Sequence, residues 1–273
     1  GSDCPAGGRA LRTSPVRRAP CWPETFALRF PEFTDLSQKL SRIALAGNLQ
    51  PLNYRYEGEC SVTTLNRHLE AIADSSANDA GIAFFDLDRT LIGGYSIIAL
   101  ARETALHGAR QGEVAQAARL LRDLLRHRVD GSGGNYHRVA RRLAKALAGV
   151  SEATLAELGE RAYRNHIART LYREAITLIE SHRAAGRRLV IISAASRYQV
   201  EPVARVLGID EICCTRLEVQ GGHFTGQVIA PLCHGEGKLL AARRVARQQR
   251  TTLDNCWFYS DSSDDLPLLR RVG

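Results

Sequence analysis

The chain has 273 residues, 37 of them basic and 29 acidic, which gives a formal net charge of +8. Hydrophobic residues make up 44% of the chain, enough for a substantial buried core, and this excludes a wholly disordered protein. No apolar run approaches the ~20 residues that a membrane helix needs. The seven cysteines lack any CxxC spacing, which argues against a zinc site or disulfide framework and predicts reduced thiols in a cytoplasmic protein.

Residues 1–80 are predicted to form an N-terminal extension. Its first 25 residues are rich in Pro, Gly, Arg and Ser and have no periodicity, which indicates a disordered leader. The spacing of apolar residues predicts a short helix around residues 36–43 and a better one beginning at Ser61. The extension contains no motif with an evident chemical role.

Three short apolar segments have the composition of buried parallel strands: residues 81–86, 188–193 and 255–261. Each segment ends in a side chain that carries oxygen. Ligands of open α/β sheets bind beyond the carboxyl ends of the strands, so these three ends are expected to meet at one site.

Helical periodicity dominates the region between the first two strands, which predicts a helical cap over residues 93–174. Its helices are expected near residues 114–125 and 139–147, with a hinge at Gly93-Gly94 and a loop at residues 131–134. Residues 102–174 carry fourteen basic and eight acidic residues, and a positive cap surface suits an anionic substrate. The catalytic core is assigned to residues 81–92 and 175–273.

The later part of the core is predicted to alternate between helices and strands. Helical spacing covers residues 171–179 and 197–207, and an apolar strand follows at residues 212–215. A hairpin is expected to turn at residues 220–222, and a helix over residues 237–248 then leads to the last strand.

The sequence Asp86-Leu87-Asp88-Arg89-Thr90 follows the first predicted strand directly. Its two carboxylates repel each other and require a cation or a shared proton, and Mg²⁺ suits a site built from oxygen atoms. Taken alone, such a pair could also be an acidic loop or a helix cap. The apolar strand before it and the polar ends of the other strands favour a reaction site.

Residues 84–92 resemble the first motif of the haloacid dehalogenase-like (HAD) phosphohydrolases. Ser193 resembles the second motif, Lys238 the third, and residues 260–269 the fourth, all in the order of that family. The resemblance implies an α/β fold with a three-layer, Rossmann-like parallel sheet and a helical cap inserted after the first strand. The cap type is similar to that of the phosphoserine phosphatase-like branch, subfamily IB.

The resemblance implies a role for each matched residue. Asp86 would be the nucleophile that forms an aspartyl-phosphate, and Asp88 the general acid and base. Asp261 would bind Mg²⁺ together with the Asp86 side chain and the Asp88 carbonyl, and Asp265 would orient either these metal ligands or Lys238.

The remaining matched residues would bind the substrate. Thr90, Ser193 and Lys238 would bind the phosphate group. Tyr95 is expected to contact the rest of the substrate. It occupies the position where phosphoserine phosphatases carry a glutamate, which argues against phosphoserine as the substrate.

The sequence therefore predicts a Mg²⁺-dependent phosphatase that acts on a small phosphorylated metabolite. The alternative is the phosphatase part of a bifunctional protein with a fused or downstream lysophospholipid acyltransferase, because residues 231–238 resemble members of subfamily IB that have this fusion. A non-catalytic module, for example one binding nucleic acid through its positive charge, is disfavoured. No aromatic residues alternate with the basic ones, and the four motifs would have no explanation.

Overall fold

The computed structural model describes residues 62–75, 81–110, 133–209 and 211–273. The α-helices within these ranges are α1 (Val62–Asp74), α2 (Ser96–Arg110), α3 (Gly133–Ala146), α4 (Glu152–Ala162), α5 (Arg173–Ala184), α6 (Arg197–Leu207), α7 (Glu236–Gln248) and α8 (Leu266–Leu269). The strands are β1 (Ile82–Phe85), β2 (Arg188–Ser196), β3 (Glu211–Gln220), β4 (His223–Ile229) and β5 (Cys256–Tyr259).

The five strands form one sheet in the order β4-β3-β2-β1-β5. Strands β3, β2, β1 and β5 are parallel, while β4 returns antiparallel to β3 through a hairpin. Just before β1 and β5 the two chains lie so close that a Cβ atom at Gly81 would be 2.5 Å from the carbonyl oxygen of Asn255. Only glycine fits there, which fixes where the strand that carries the first motif begins.

Side chains of the sheet alternate between two apolar layers. Ala83, Phe85 and Ile191 face a layer in which helices α1, α4, α5 and α6 bury their apolar residues. Ile82 and Phe84 point to the opposite face, against α7 and α8. The sheet is thus covered by helices on both faces, as burial of a parallel sheet requires. The predicted three-layer α/β class is confirmed.

The two ends of the segment between β1 and β2 lie side by side and are joined by backbone hydrogen bonds. Gly93 N–H donates to the Thr170 carbonyl at 2.7 Å, and Tyr172 N–H donates to the Leu91 carbonyl at 3.0 Å. Between these bonds α2 packs on α4, and α3 packs along β4. This arrangement puts α2 and α3 next to the carboxyl edge of the sheet.

Helix α1 packs on the same layer as α5, so this part of the N-terminal extension contacts the core directly. His68 Nε2 lies 2.8 Å from Tyr259 Oη, and His182 Nε2 lies 2.7 Å from the same oxygen. The buried guanidinium of Arg187 donates to the Ile72 carbonyl at 3.1 Å and lies 3.8 Å from the Trp257 ring. A polar network therefore joins α1 to the last strand.

Most predicted elements of the core occur in the structure, with shifts of a few residues at their ends. The loop expected at residues 131–134 was wrong in its second half, because α3 already begins at Gly133. The predictions for residues 1–61 and for a helix at 114–125 fall outside the described residues. Within the described ranges, every helix is too short or too polar to span a membrane, and Cys213, Cys214, Cys233 and Cys256 are free thiols.

Candidate active site

The backbone curls tightly after β1 and turns both first-motif carboxylates toward the carboxyl edge of the sheet. Asp86 N–H still donates to the Tyr259 carbonyl at 2.9 Å, as a sheet residue would. The Leu87 carbonyl then accepts from the N–H groups of Leu91 and Ile92, and Arg89 takes a positive φ of 62°. The extended chain therefore ends between the two aspartates, and Asp86 and Asp88 both line one cavity.

Lys238 occupies the centre of the site. Its Nζ lies 2.8 Å from Asp86 Oδ1 and 2.6 Å from Asp265 Oδ2, and the residue is only 2% exposed. It belongs to the first turn of α7, which begins after Gly235. Burial alone would lower the pKa of Lys238, but the carboxylates of Asp86 and Asp265 outweigh burial and raise it. The ammonium is therefore charged beside Asp86 at neutral pH.

Burial raises the pKa of Asp86 to about 7, although Lys238 opposes this shift. Burial also raises the pKa of Asp88 and of Asp261 above the ordinary range. Three carboxylates thus share a poorly solvated region in which additional positive charge would favour their ionised forms. This is the electrostatic setting of a cation site.

Asp88 is held at the start of α2. Its Oδ1 accepts a hydrogen bond of 2.7 Å from the backbone N–H of Ser96. Ser96 is fully buried, and its Oγ accepts from Gln199 Nε2 at 2.9 Å. Gln199 is fixed in turn because its Oε1 accepts from the backbone N–H and the hydroxyl of Ser196. A chain of buried hydrogen bonds from α6 therefore orients the Asp88 carboxylate.

The two acids of the fourth motif have different surroundings. Asp265 is buried between Lys238 and the hydroxyl of Ser260, which donates to Asp265 Oδ2 at 2.5 Å. Asp264 instead faces His234, with 3.3 Å between its Oδ2 and the imidazole Nε2. The structure therefore brings Asp265 to the lysine, which is one of the two places expected for it, and leaves Asp264 at the side of the cavity.

The two predicted hydroxyl donors lie at different places. Ser193 lines the cavity at the end of the apolar part of β2, and its Oγ accepts from Ala195 N–H at 3.2 Å. Thr90 is buried outside the cavity lining, and its Oγ1 accepts from Asp261 N–H at 3.2 Å. In this arrangement Thr90 fixes the loop that carries Asp261, and Ser193 faces the space where a phosphate would bind.

Arg89 is a site residue that the sequence reasoning passed over. Its Nε lies 3.0 Å from Asp261 Oδ2, and its Nη1 donates to Tyr95 Oη at 3.0 Å. Tyr95 lines the cavity, and its expected contact with a substrate stays a prediction. The signal was present in the sequence, because Arg89 stands between Asp88 and Thr90 inside the first motif.

Tyr136 and His234 also line the cavity and were missed. The Tyr136 ring stacks on the His234 imidazole with centroids 4.2 Å apart, and its hydroxyl donates to the Ala194 carbonyl at 2.5 Å. Tyr136 comes from α3, far along the chain from the four motifs. No local pattern in the sequence pairs it with His234.

A divalent cation fits the donor atoms at this edge. Within the residues described, no three His, Cys, Asp or Glu side chains group closely enough to hold a metal by themselves. The carboxylates of Asp86 and Asp261 with the main-chain carbonyl of Asp88 would supply three oxygen ligands. Mg²⁺ binds few protein oxygens and keeps its other positions for water and substrate oxygens, so this set suits it.

The fold and the site together define an α/β protein with a cluster of carboxylates around a buried lysine at the carboxyl edge of a parallel sheet. A family model described as haloacid dehalogenase-like hydrolase matches residues 83–270. The chain belongs to this family of hydrolases, and the resemblance found in its four motifs is confirmed.

Curated relatives support the same family. A probable phosphatase of Mycobacterium tuberculosis is 33% identical over 197 residues, which cover 70% of this chain and 66% of the relative. The phosphoserine phosphatase SerB1 of the same species is 34% identical over 201 residues, covering 70% of this chain and 62% of the relative. The chain thus spans slightly less than two thirds of these relatives.

A solved structure has the same fold. It is a protein of unknown function from Bordetella pertussis, with a TM-score of 0.61 and 29% identity, and the match covers 71% of this chain and 87% of that one.

Proposed function

We propose that this protein is a Mg²⁺-dependent phosphatase that hydrolyses a small phosphomonoester through an aspartyl-phosphate on Asp86. The observation that carries the proposal is the contact of Lys238 Nζ with Asp86 Oδ1 at 2.8 Å, at the edge where the parallel strands end. A buried ammonium at that distance neutralises a nucleophilic carboxylate and an incoming phosphate together. The relatives named phosphatase agree with this chemistry.

In the first half-reaction, an oxygen of Asp86 attacks phosphorus, and the ester bond to the leaving oxygen breaks. Because Oδ1 contacts Lys238, we assign the attack to Oδ2. Asp88 donates its proton to the leaving oxygen, which departs as an alcohol. The raised pKa of Asp88 suits this role, since an acid must hold its proton until the bond breaks.

In the second half-reaction, Asp88 accepts a proton from water, and the oxygen of that water attacks phosphorus. The phosphoryl group leaves Asp86 as inorganic phosphate, and the Asp86 carboxylate is regenerated. The hydrogen bond from Ser96 keeps Asp88 in place for both proton transfers. Ser193 and Lys238 would hold the phosphoryl oxygens, and we assign Thr90 to fixing the Asp261 loop beside them.

We assign Mg²⁺ to Asp86, Asp261 and the Asp88 carbonyl, with Asp265 positioning Lys238. Bound there, the ion would supply positive charge to the phosphoryl group during its transfer. Small phosphorylated metabolites are the proposed substrates. The relatives give no support to the acyltransferase alternative, and the cytoplasmic location stays a prediction.

The decisive variant is Asp86→Asn. We expect phosphate release from phenyl phosphate with Mg²⁺ to fall at least ~10³-fold, because an amide oxygen is a poor nucleophile. Asp254→Asn is the matched control, since Asp254 is exposed in a turn away from the site. Circular dichroism establishes that both variants fold. Undiminished phosphate release by folded Asp86→Asn protein would refute the proposal.

A further inference from the structure

The cavity beside the carboxylates has two chemically different ends. Its volume is about 270 Å³, near the lower end of the range for small-molecule pockets. One end contains the reaction site, and the other runs between α2, α3 and the β3–β4 hairpin. The apolar residues lining this second end are Ile97, Leu100, Val139, Ala140, Leu143, Ala144, Leu147, Leu217 and Val228.

Charged residues of the lining belong to the reaction end. Among the described residues that line the cavity, every Asp, Arg and Lys comes from the turn after β1, the start of α7 or the loop after β5. The apolar end offers no described side chain to pair with an ammonium or a carboxylate. A charged leaving group bound there would lose its water without compensation, which is strongly unfavourable.

Polar side chains near the apolar end already have partners within the protein. The hydroxyl of Tyr136 donates to the Ala194 carbonyl, and Gln199 bonds to Ser96 and Ser196. Thr215 Oγ1 accepts from Cys233 N–H at 3.3 Å. These groups therefore make little demand for hydrogen bonds from a ligand, and burying hydrocarbon beside them is favourable.

We propose that the leaving group of the substrate is uncharged and apolar, so that the enzyme acts on monophosphates of alkyl or aryl alcohols. This inference rests on the proposed function and narrows its substrate class. Tyr95 fits the assignment, because its uncharged aromatic ring lines the cavity while its hydroxyl is already bonded to Arg89. The apolar wall of α2 and α3 then packs against the alcohol portion while the phosphate lies at Lys238.

The test is a series of n-alkyl phosphates from ethyl to hexyl, with phosphoserine and glycerol phosphate as polar comparisons, all with Mg²⁺. We expect kcat/KM to rise about fourfold per methylene, equal to about 0.8 kcal/mol for each buried group, until the cavity is filled. Butyl phosphate should exceed phosphoserine by at least tenfold. A flat series, or phosphoserine equal to or better than butyl phosphate, would overturn the inference.

Variants locate the effect in the cavity wall. Leu143→Gln should reduce the ratio of hexyl to ethyl phosphate kcat/KM at least tenfold, while Ala146→Gln on the exposed side of α3 should leave that ratio unchanged. Val139→Thr keeps the side-chain shape and serves if Leu143→Gln does not fold; it should lower the ratio severalfold. The same ratio of hexyl to ethyl phosphate kcat/KM in all variants would contradict the proposal that this wall binds the alcohol portion of the substrate.

The outcomes separate the two proposals. If the protein releases phosphate from ethyl phosphate but kcat/KM does not depend on chain length, the inference of an apolar leaving group is refuted and the phosphatase proposal stands. Failure to release phosphate from every compound, with folded protein and Mg²⁺ present, removes the phosphatase proposal and this inference together.

Discussion

Removing the ammonium of Lys238 should destabilise the protein strongly even when no substrate or metal is present. Lys238→Met keeps most of the aliphatic stem but leaves two buried carboxylates without their shared cation. In the native chain Nζ lies 2.8 Å from Asp86 and 2.6 Å from Asp265, and Asp265 is only 1% exposed. The cost therefore depends on how each carboxylate adapts.

The expected cost can be worked out for each acid. Asp86 accommodates the loss cheaply at pH 7, because its pKa already lies at about 7 and it can take up a proton. Asp265 would stay buried without its cation, and breaking a buried ion pair by removing one partner costs about 3–5 kcal/mol. The Ser260 hydroxyl still bonds to Asp265 and reduces this figure. We therefore expect a loss of about 3 kcal/mol, within the range for broken buried ion pairs.

The assay is urea unfolding at pH 7 in a metal-free buffer with a chelator, followed by tryptophan fluorescence, to which Trp257 on β5 contributes. Adding Asp265→Asn to Lys238→Met removes the buried carboxylate that has lost its cation, and should restore at least ~1.5 kcal/mol of the free energy of unfolding. Lys145→Met is the matched control, since Lys145 is exposed on α3 and its replacement should change stability by less than ~0.5 kcal/mol. A loss below ~1 kcal/mol for Lys238→Met, or a double variant no more stable than the single one, would refute this reasoning.

Two further predictions concern the helices around the sheet. Burial, with Arg187 and His68 nearby, lowers the pKa of His182 to about 3, so the unfolded state binds the proton first as pH falls below ~6.5. Wild-type stability should therefore drop about 2 kcal/mol more than that of His182→Gln between pH 7 and pH 5 in urea titrations; parallel pH profiles would count against it. Gln199→Leu removes the bond to Ser96, so kcat should fall about tenfold with KM nearly constant, whereas exposed Gln227→Leu should behave as wild type. An unchanged kcat would show that Ser96 holds Asp88 without help.

The sheet and the main contacts of the site were accessible from the sequence because both depend on local patterns. Burial is strongly favourable for apolar runs such as Gly81–Phe85, and parallel strands place their carboxyl ends at one edge of the sheet. The meeting of Lys238 and Asp265 with Asp86 was implied only by the resemblance of the four motifs to those of the family. In the structure Lys238 Nζ, from the third motif, lies 2.8 Å from Asp86 Oδ1 of the first motif and 2.6 Å from Asp265 Oδ2 of the fourth.

What the sequence did not predict depends on contacts between distant segments. Tyr136 reaches His234 only because α3 packs along β4, and no pattern in either segment specifies the other. The docking of α1 through His68 onto Tyr259 is of the same kind. The hydrogen bond from Asp261 N–H to Thr90 Oγ1 is also of this kind, because the direction of that hydroxyl depends on the tight turn after Asp86. The expected contact of Thr90 with phosphate stays a prediction.

Lys238 is an exception in a chain whose basic residues are nearly all arginines. The chain contains only three lysines, Lys39, Lys145 and Lys238, among its 37 basic residues, so arginine is the usual cation. A guanidinium is planar, spreads its charge over three nitrogens and needs more room than an ammonium. In the first turn of α7, one nitrogen atom contacts Asp86 and Asp265 at once, and in the proposed reaction it also faces the incoming phosphate. A compact ammonium with three rotatable donors meets that geometry, and arginine on the same buried backbone would force the two carboxylates apart.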